Sequence, residues 1–449
     1  MSASLVYLEQ DGSGPAALKI SVPQSDTRIP THFIALIDIS DSMRDGKLTH
    51  VKHCMSLLLK FLSPNDVLSL ITFGDTSNVV LNRVKAVAGQ IPIIDKAIQS
   101  LVVDGSTNYS AGLASVCEIL ETPCPLKTGL LTLTDGHANC GVSDPPSLVA
   151  MISKIHERYP SLSFSFVAYG TDHNDTLLKR MSDTVMGSYS IVSDLEGAAT
   201  AMGESLGGII SCAAQNVSIT CPLGTKAHGP YTVKADRLLL GDLYAGTDTT
   251  ILLETVPGPF TFSGVTLPDL STFRLAVPTT VDTSQNIEID VTRLRYKCSD
   301  LFRDIRDALG SDENFDDRIA EFRAAINNAA LAEHPVIGML KNELISIEAA
   351  INNIRIGRTD GLRARLNQHA AFTSQMRGMT TTIESCPAST PRSRGATTPR
   401  APRRRAQSPA EDPNRPNIVM SPTTSIRQTR MATMMREASQ GGAPEPEPI

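Results

Sequence analysis

Between residues 30 and 212, short apolar runs alternate with amphipathic stretches. Residues 33–37 are apolar without interruption, as expected of a strand buried on both faces. Val51, Cys54, Met55, Leu58, Leu59 and Leu62 follow at helical spacing. Residues 68–73 read as the next strand and 79–81 as a short one; 94–101 and 110–120 read as helices. The alternation continues with strand 130–133, helix 146–158, strand 162–169, helix 174–181, strand 189–192 and helix 195–210. This order predicts an α/β fold, a doubly wound and mostly parallel sheet with helices on both faces.

The pattern changes after residue 212. Seven short β-rich runs, at 217–220, 231–233, 237–240, 250–255, 260–262, 273–277 and 286–291, are punctuated by Gly and Pro, and predict a β-sandwich over 213–292. Residues 5–22 are β-like too, although they precede the α/β unit. We expect 1–29 to pair into the same sandwich, which makes the α/β domain of 30–212 an insertion. Residues 293–382 read as a helical extension, a small bundle with segments at 294–309, 316–331, 335–354 and 361–376; Pro335 suits a first helical turn, and Thr359 or Asp360 an N-cap. From 383 to 449, Pro, Ser, Thr, Arg and Gly prevail, and the expectation is a disordered tail that buries little.

At 449 residues the chain has room for about three domains. Its net charge of −6 argues against specific nucleic-acid binding. That charge is uneven. From Cys386 onward ten arginines face five acidic residues, a net +5, which leaves −11 for the rest. Eight cysteines stand at irregular spacings with no CxxC pair, which excludes a zinc ribbon, a RING finger and a thioredoxin motif and leaves reduced core thiols as the expectation. Residues 1–10 lack the features of a secretory signal, and no apolar run approaches the roughly 18–20 residues of a membrane span. The expected location is the cytoplasm, with the nucleus open through the Arg403-Arg404-Arg405 run.

The candidate chemistry lies where strands end, the place for ligand sites in an open α/β sheet. Asp38-Ile39-Ser40-Asp41-Ser42 closes the first strand as D-x-S-x-S. Asp104-Gly105-Ser106-Thr107-Asn108 precedes a helix, and Thr134-Asp135-Gly136 ends a strand. Asp38, Ser40, Ser42, Thr107 and Asp135 form a set of hard oxygen donors, with no His or Cys among them. Such donors suit Mg²⁺, Mn²⁺ or Ca²⁺ over Zn²⁺. On this reading two carboxylates and three neutral hydroxyls leave the cation incompletely neutralised, so a vacant position would favour a partner's carboxylate.

These three motifs, in this order, resemble the von Willebrand factor A (VWA) domain with its metal-ion-dependent adhesion site. The resemblance implies that Ser40, Ser42 and, in one state, Thr107 contact the metal directly, and that Asp38 and Asp135 act through water. It implies a non-enzymatic protein-interaction module whose partner supplies an Asp or Glu. Further along, Leu240-Gly241-Asp242-Leu243 and Ser374-Gln375-Met376-Arg377 are similar to segments of intracellular VWA proteins, among them plant RING-type and fungal U-box ubiquitin ligases; the RING or U-box itself is missing. An alternative is therefore a substrate-recruiting or regulatory subunit of a ubiquitin ligase or ATPase complex, and a more distant one a metal-dependent hydrolase.

Rival motifs fare worse. Gly203-Glu204-Ser205-Leu206-Gly207 matches the G-x-S-x-G nucleophile elbow but falls inside a predicted helix. Gly46-Lys47 lacks the upstream Gly of a P-loop, and the acidic run from Asp41 breaks the EF-hand pattern at Met43 and Lys52. His137 and Cys140 lie close to Asp135 in sequence and read as an ordinary loop histidine and thiol. Thr390, Thr398, Ser408 and Ser421 each precede Pro and could accept phosphate that offsets the tail's positive charge.

Overall fold

A computed structural model describes residues 1–7, 14–25, 28–135, 137–170, 173–192, 194–229, 231, 233–281, 286–309, 314–355, 366 and 426–440. The chain opens with the antiparallel pair β1 (Ser2–Tyr7) and β2 (Gly14–Ser21). It then builds a six-stranded sheet from β3 (Thr31–Asp38), β4 (Val67–Phe73), β5 (Ser77–Lys85), β6 (Lys127–Thr134), β7 (Ser163–Tyr169) and β8 (Ser188–Val192), in the order β5-β4-β3-β6-β7-β8. Only β5, at one edge, is antiparallel to its neighbour. β3 is buried along its whole length, as its apolar run requires.

Helices cover both faces. On one lie α1 (Lys47–Leu59), α2 (Ile91–Gln99) and, later in the chain, α6 (Leu195–Ile210); on the other lie α3 (Tyr109–Glu121), α4 (Pro145–Arg158) and α5 (Asp175–Thr184). Four of these starts are fixed by side-chain caps: Asn108 accepts from the Ala111 N–H, Asp144 from Ser147, Asn174 from Leu177 and Asp194 from Gly197. All five parallel strands point their C-terminal ends the same way, so the loops after β3 and β6 share one rim with the start of α6.

β9 (Cys212–Thr220), β10 (Lys226–Ala227), β11 (Val233–Lys234), β12 (Arg237–Tyr244), β13 (Asp248–Thr255), β14 (Thr261–Thr266), β15 (Thr272–Ala276) and β16 (Thr279–Val281) follow. They form two five-stranded sheets, β10-β13-β2-β1-β16 and β11-β12-β9-β14-β15. β1 and β2 thus sit inside a sheet whose other members lie more than 200 residues away. Leu5, Leu18, Ile20, Ile219, Phe260 and Phe262 fill the space between the sheets. One buried ion pair ties the sandwich to the α/β sheet. The Lys127 ammonium, at the foot of β6, donates to Asp242 Oδ2 at 2.9 Å, to Gln215 Oε1 at 3.2 Å and to the Ser161 carbonyl at 2.9 Å. Ser163 donates to the same carboxylate.

The helices after the sandwich are α7 (Asn286–Asp307), α8 (Asp316–Ile326) and α9 (Pro335–Arg355). Residues 286–291, expected as a strand, are the first turns of α7. The alternation of Ile287, Ile289 and Val291 has a helical explanation. Ile289 and Tyr296, seven residues apart, join Ala17 and Leu252 of the sandwich, whereas Val291, Leu294, Cys298, Leu301 and Phe302 join the core shared with α8 and α9. A helix with two apolar faces mimics a period of two over six residues. The 316–331 segment also breaks, at Asn327–Asn328, before a short 3₁₀ turn, Ala329–Leu331. Segment 361–376 lies outside the described residues apart from Leu366, as do Thr359 and Asp360.

A second correction concerns the tail. Residues 426–439 form α10 (Ile426–Ser439), packed against α6 and α1, with Met431 and Met435 fully buried in their core. The rest of 383–449, except Gln440, lies outside the described residues. Its four Ser/Thr-Pro positions and the Arg403–Arg405 run are among them.

Two expectations about stability follow. His32 on β3 is buried with Nε2 2.9 Å from Ser69 Oγ, and burial, reinforced by Arg83, pushes its pKa down to about 4. The unfolded chain takes up a proton near 6.5 that the folded chain refuses, so stability should fall as the pH drops from about 6.5 to 4, by about 3 kcal/mol, and be unaffected above that window. His32→Gln should flatten this slope in urea titrations at pH 5 and 7; an unchanged slope would assign it elsewhere. Met435→Ala should lower the unfolding free energy by about 2–5 kcal/mol, capped by whatever docking of α10 contributes. A thermal midpoint equal to that of the unsubstituted chain would show that α10 adds no stability.

Candidate functional site

β3 and β6 are adjacent parallel strands and end together, which brings Asp38 and Thr134-Asp135 to one point of the rim. Asp38 is fully buried. Its Oδ1 accepts from the Ser40 N–H at 2.9 Å and its Oδ2 from Thr134 Oγ1 at 2.6 Å. Burial pushes its pKa up to about 6 against those hydrogen bonds, and the neighbouring Asp135 adds to the rise. Ser40 Oγ lies 3.0 Å from Ser42 Oγ, on the short 3₁₀ turn Asp41–Met43. Both oxygens of Asp135 are buried with no hydrogen-bond partner. The nearest cation is Lys47 at the start of α1, with Nζ 3.6 Å from Asp135 Oδ2.

The Thr107 loop is clamped to both other loops. The Asp104 N–H donates to the Ile39 carbonyl at 2.6 Å and the Asp41 N–H to the Gly105 carbonyl at 2.8 Å, which joins it to the D-x-S-x-S segment. The Thr107 N–H donates to Asn139 Oδ1 at 2.8 Å, and its carbonyl accepts from the N–H groups of Asn139 and Cys140, which joins it to the loop after β6. Thr107 is itself buried. On the outer side the Ser106 N–H donates to Asp75 Oδ1 at 2.6 Å, and this bond holds the Asp75 carboxyl below the usual range.

The segments that carry all five residues singled out from sequence meet at this rim: Asp38, Ser40, Ser42 and Asp135 around the ends of β3 and β6, and Thr107 on a loop whose backbone is bonded to the loops after both strands. Asp41 serves otherwise; its exposed carboxylate pairs with Arg44 at 2.6 Å. Four supporting residues are given no role by the sequence reading. Thr134 and Asn139 flank Asp135 and could have been found from its motif; Lys47 drew notice only as a failed P-loop. Asp75 lies some thirty residues from the loop it braces, and nothing local marks it. Ser205 of the G-x-S-x-G match is buried inside α6, with neither the strand nor the turn of a nucleophile elbow before it.

The donor set fits a hard divalent cation: two carboxylates and three hydroxyls, with the orphaned oxygens of Asp135 as the atoms most in need of one. Among the described residues no cluster of three or more His, Cys, Asp or Glu offers a softer alternative.

The class of domain is now legible. Residues 32–191 match the family model described as "von Willebrand factor type A domain", so the chain carries a VWA domain in a VWA-like α/β fold. Among particular relatives, protein YfbK of Escherichia coli K12 is 29% identical over 258 residues, which is 53% of this chain and 44% of that one. The human inter-alpha-trypsin inhibitor heavy chain H1 is 27% identical over 161 residues, 34% of this chain and 18% of that one. The chain thus spans less than half the length of these curated relatives. Among solved structures, a von Willebrand factor type A protein from Catenulispora acidiphila superposes with a TM-score of 0.55 at 16% identity, over 69% of this chain and 81% of that one. The ArnB paralog VWA2 from Sulfolobus acidocaldarius gives 0.52 at 13% identity, over 82% and 98%. The second likeness extends well beyond the α/β sheet.

Gly105 tests the clamp. Its φ is +67°, and a Cβ there would stand 2.4 Å from the Asp75 carboxyl carbon. Gly105→Ala should cost about 1–3 kcal/mol in chemical denaturation. Made in an Asp75→Ala background, and compared with Asp75→Ala alone, the same substitution should cost only about 1 kcal/mol, the part due to the positive φ. Equal stability of Gly105→Ala and the unsubstituted chain would contradict this account of the loop.

Proposed function

We propose that the chain is a protein-interaction module that binds an acidic residue of its partner through a divalent cation, Mg²⁺ in the first instance, with Mn²⁺ or Ca²⁺ as substitutes. Asp38, Ser40, Ser42, Thr107 and Asp135 would hold the ion, and the ion would supply one position for an Asp or Glu carboxylate. The observation that carries this reading is the buried carboxylate of Asp135, which has no hydrogen bond and only the Lys47 ammonium at 3.6 Å beside it, next to the buried Asp38. A protein that keeps two such groups together pays for them unless a cation is taken up. The residues themselves have separate tasks. Thr134 and the Ser40 N–H orient Asp38, Asn139 and the Gly105 bond fix the Thr107 loop, and the Lys47 ammonium moderates the charge of Asp135 from the side.

No turnover is part of this reading. The one nucleophile motif of the sequence is buried inside α6, and the site offers hydroxyls and carboxylates as ligands. Recruitment of a partner to a larger assembly, such as a ubiquitin ligase or an ATPase, would use the same site. The seven cysteines among the described residues are free thiols, which suits a reducing compartment such as the cytoplasm. Among the described residues no helix is long and apolar enough to cross a membrane.

Asp135→Ala and Ser40→Ala should each weaken Mg²⁺ or Mn²⁺ binding at least a hundredfold by isothermal titration while leaving the circular dichroism spectrum unchanged. Proteins that co-purify in Mg²⁺ should leave in EDTA, because loss of a charge-assisted contact to a desolvated cation costs about 2–5 kcal/mol. Unaltered metal affinity in both variants would remove the site, and partners retained fully in EDTA would remove the mechanism.

A further inference from the structure

Two lysines of the α/β domain meet carboxylates, and the two pairs are built differently. Lys127 is fully enclosed; its ammonium stands 2.9 Å from Asp242 Oδ2 and donates also to Gln215 and the Ser161 carbonyl. That pair is a fixed joint. Lys47 keeps 21% of its side chain exposed, and its Nζ lies 3.6 Å from Asp135 Oδ2. Neither oxygen of Asp135 receives a hydrogen bond, so the contact between these two groups is Coulombic.

The position of Lys47 in its own helix is unfavourable. It is the first residue of α1, after Gly46 at φ +92°, and the first turn holds no acidic residue. The free N–H groups and the dipole of a helix start favour an anion there and disfavour a cation. Lys47 thus costs α1 some stability, and the compensation lies across the rim, at a carboxylate that burial makes expensive to leave uncompensated. The two partners also differ in freedom. Asp135 follows directly on β6, whose last six residues are buried. A lysine has a flexible stem and a strongly hydrated head, and the exposed part of Lys47 gives that head a way to water without backbone movement.

We propose that Lys47 is the counter-ion Asp135 keeps until a metal arrives, and that a divalent cation binds by displacing it. This rests on the metal-dependent reading above. Metal uptake is then an exchange of cations. The ammonium shields Asp135 in the metal-free chain, and a divalent ion prevails because it brings twice the charge to the same buried carboxylate. The affinity that results is lower than the oxygen donors alone would give, by the strength of the contact that is lost. Lys47 is a positioning residue that sets this affinity and is no ligand itself.

The test titrates Mn²⁺ by calorimetry into the full chain, Lys47→Met, which drops the charge, and Lys47→Arg, which keeps it. Lys47→Met should bind Mn²⁺ at least fivefold more tightly than the unsubstituted chain, and Lys47→Arg no more tightly. A second readout needs no substitution. Acetic anhydride labelling of Lys47, followed by peptide mass spectrometry with the exposed Lys60 as reference, should rise at least threefold when saturating Mg²⁺ replaces EDTA. In Asp135→Ala the labelling should be high in both conditions. Should Lys47→Met fail to fold, the labelling of the unsubstituted chain decides. Lys47 labelling unmoved by Mg²⁺, or Mn²⁺ binding in folded Lys47→Met no tighter than in the unsubstituted chain, would overturn the proposal and leave the metal site standing. Absence of Mn²⁺ binding in all three chains would overturn the metal-dependent reading, and this proposal with it.

Discussion

Two buried carboxylates on neighbouring strand ends constrain the rest of the rim. Asp38 and Asp135 are placed by the register of β3 against β6, and neither can move without breaking a fully buried strand. Removal from water, with the second negative charge nearby, makes the pair costly; the pKa of Asp38 rises for that reason. The surrounding loops answer that cost. Hydrogen bonds satisfy Asp38, an ammonium approaches Asp135, and the backbone of the Thr107 loop is pinned from both sides. The arrangement is held by the backbone, in loops whose ends are fixed by a parallel sheet, and is thereby rigid before any ligand arrives.

Much of this was legible in the sequence because buried parallel strands and their flanking helices leave strong periodic signals. The run through β3 and the helical spacing of α1 needed no tertiary information. The meeting of the three candidate loops was legible for a related reason: strand ends are where chain order and spatial order coincide. Legibility failed where contacts link distant segments. Asp75 braces Ser106 from another loop, and α7 begins eight residues earlier than its composition suggested because its first turns bury Ile289 against the sandwich. In each case the deciding partner lies far along the chain.

α10 is the instructive failure. Its segment has weak apolar character and sits in a stretch dominated by Pro, Ser and Arg. The informative signal was in α6. Gly197, Ala198, Ala199, Ala201, Gly203, Gly207 and Gly208 allow other backbones to approach closely, and nearly every residue of that helix is buried. A helix buried all round needs cover on every side. The central sheet and α1 supply part of it, and the remaining side is closed by Met431, Met435 and Ala438.

The placement of β1 and β2 has a consequence for the chain's birth. Their neighbour β13 is made some 230 residues after β2, and at about 5–20 residues per second the ribosome takes roughly 10–50 seconds to deliver it. For that interval a hairpin bearing Leu5, Leu18 and Ile20 waits with no sheet to join, while the whole VWA domain is synthesised and can close behind it. The nascent chain thus presents an unpaired, sticky strand edge to the cell's chaperones, and sandwich assembly becomes a late event set by translation speed.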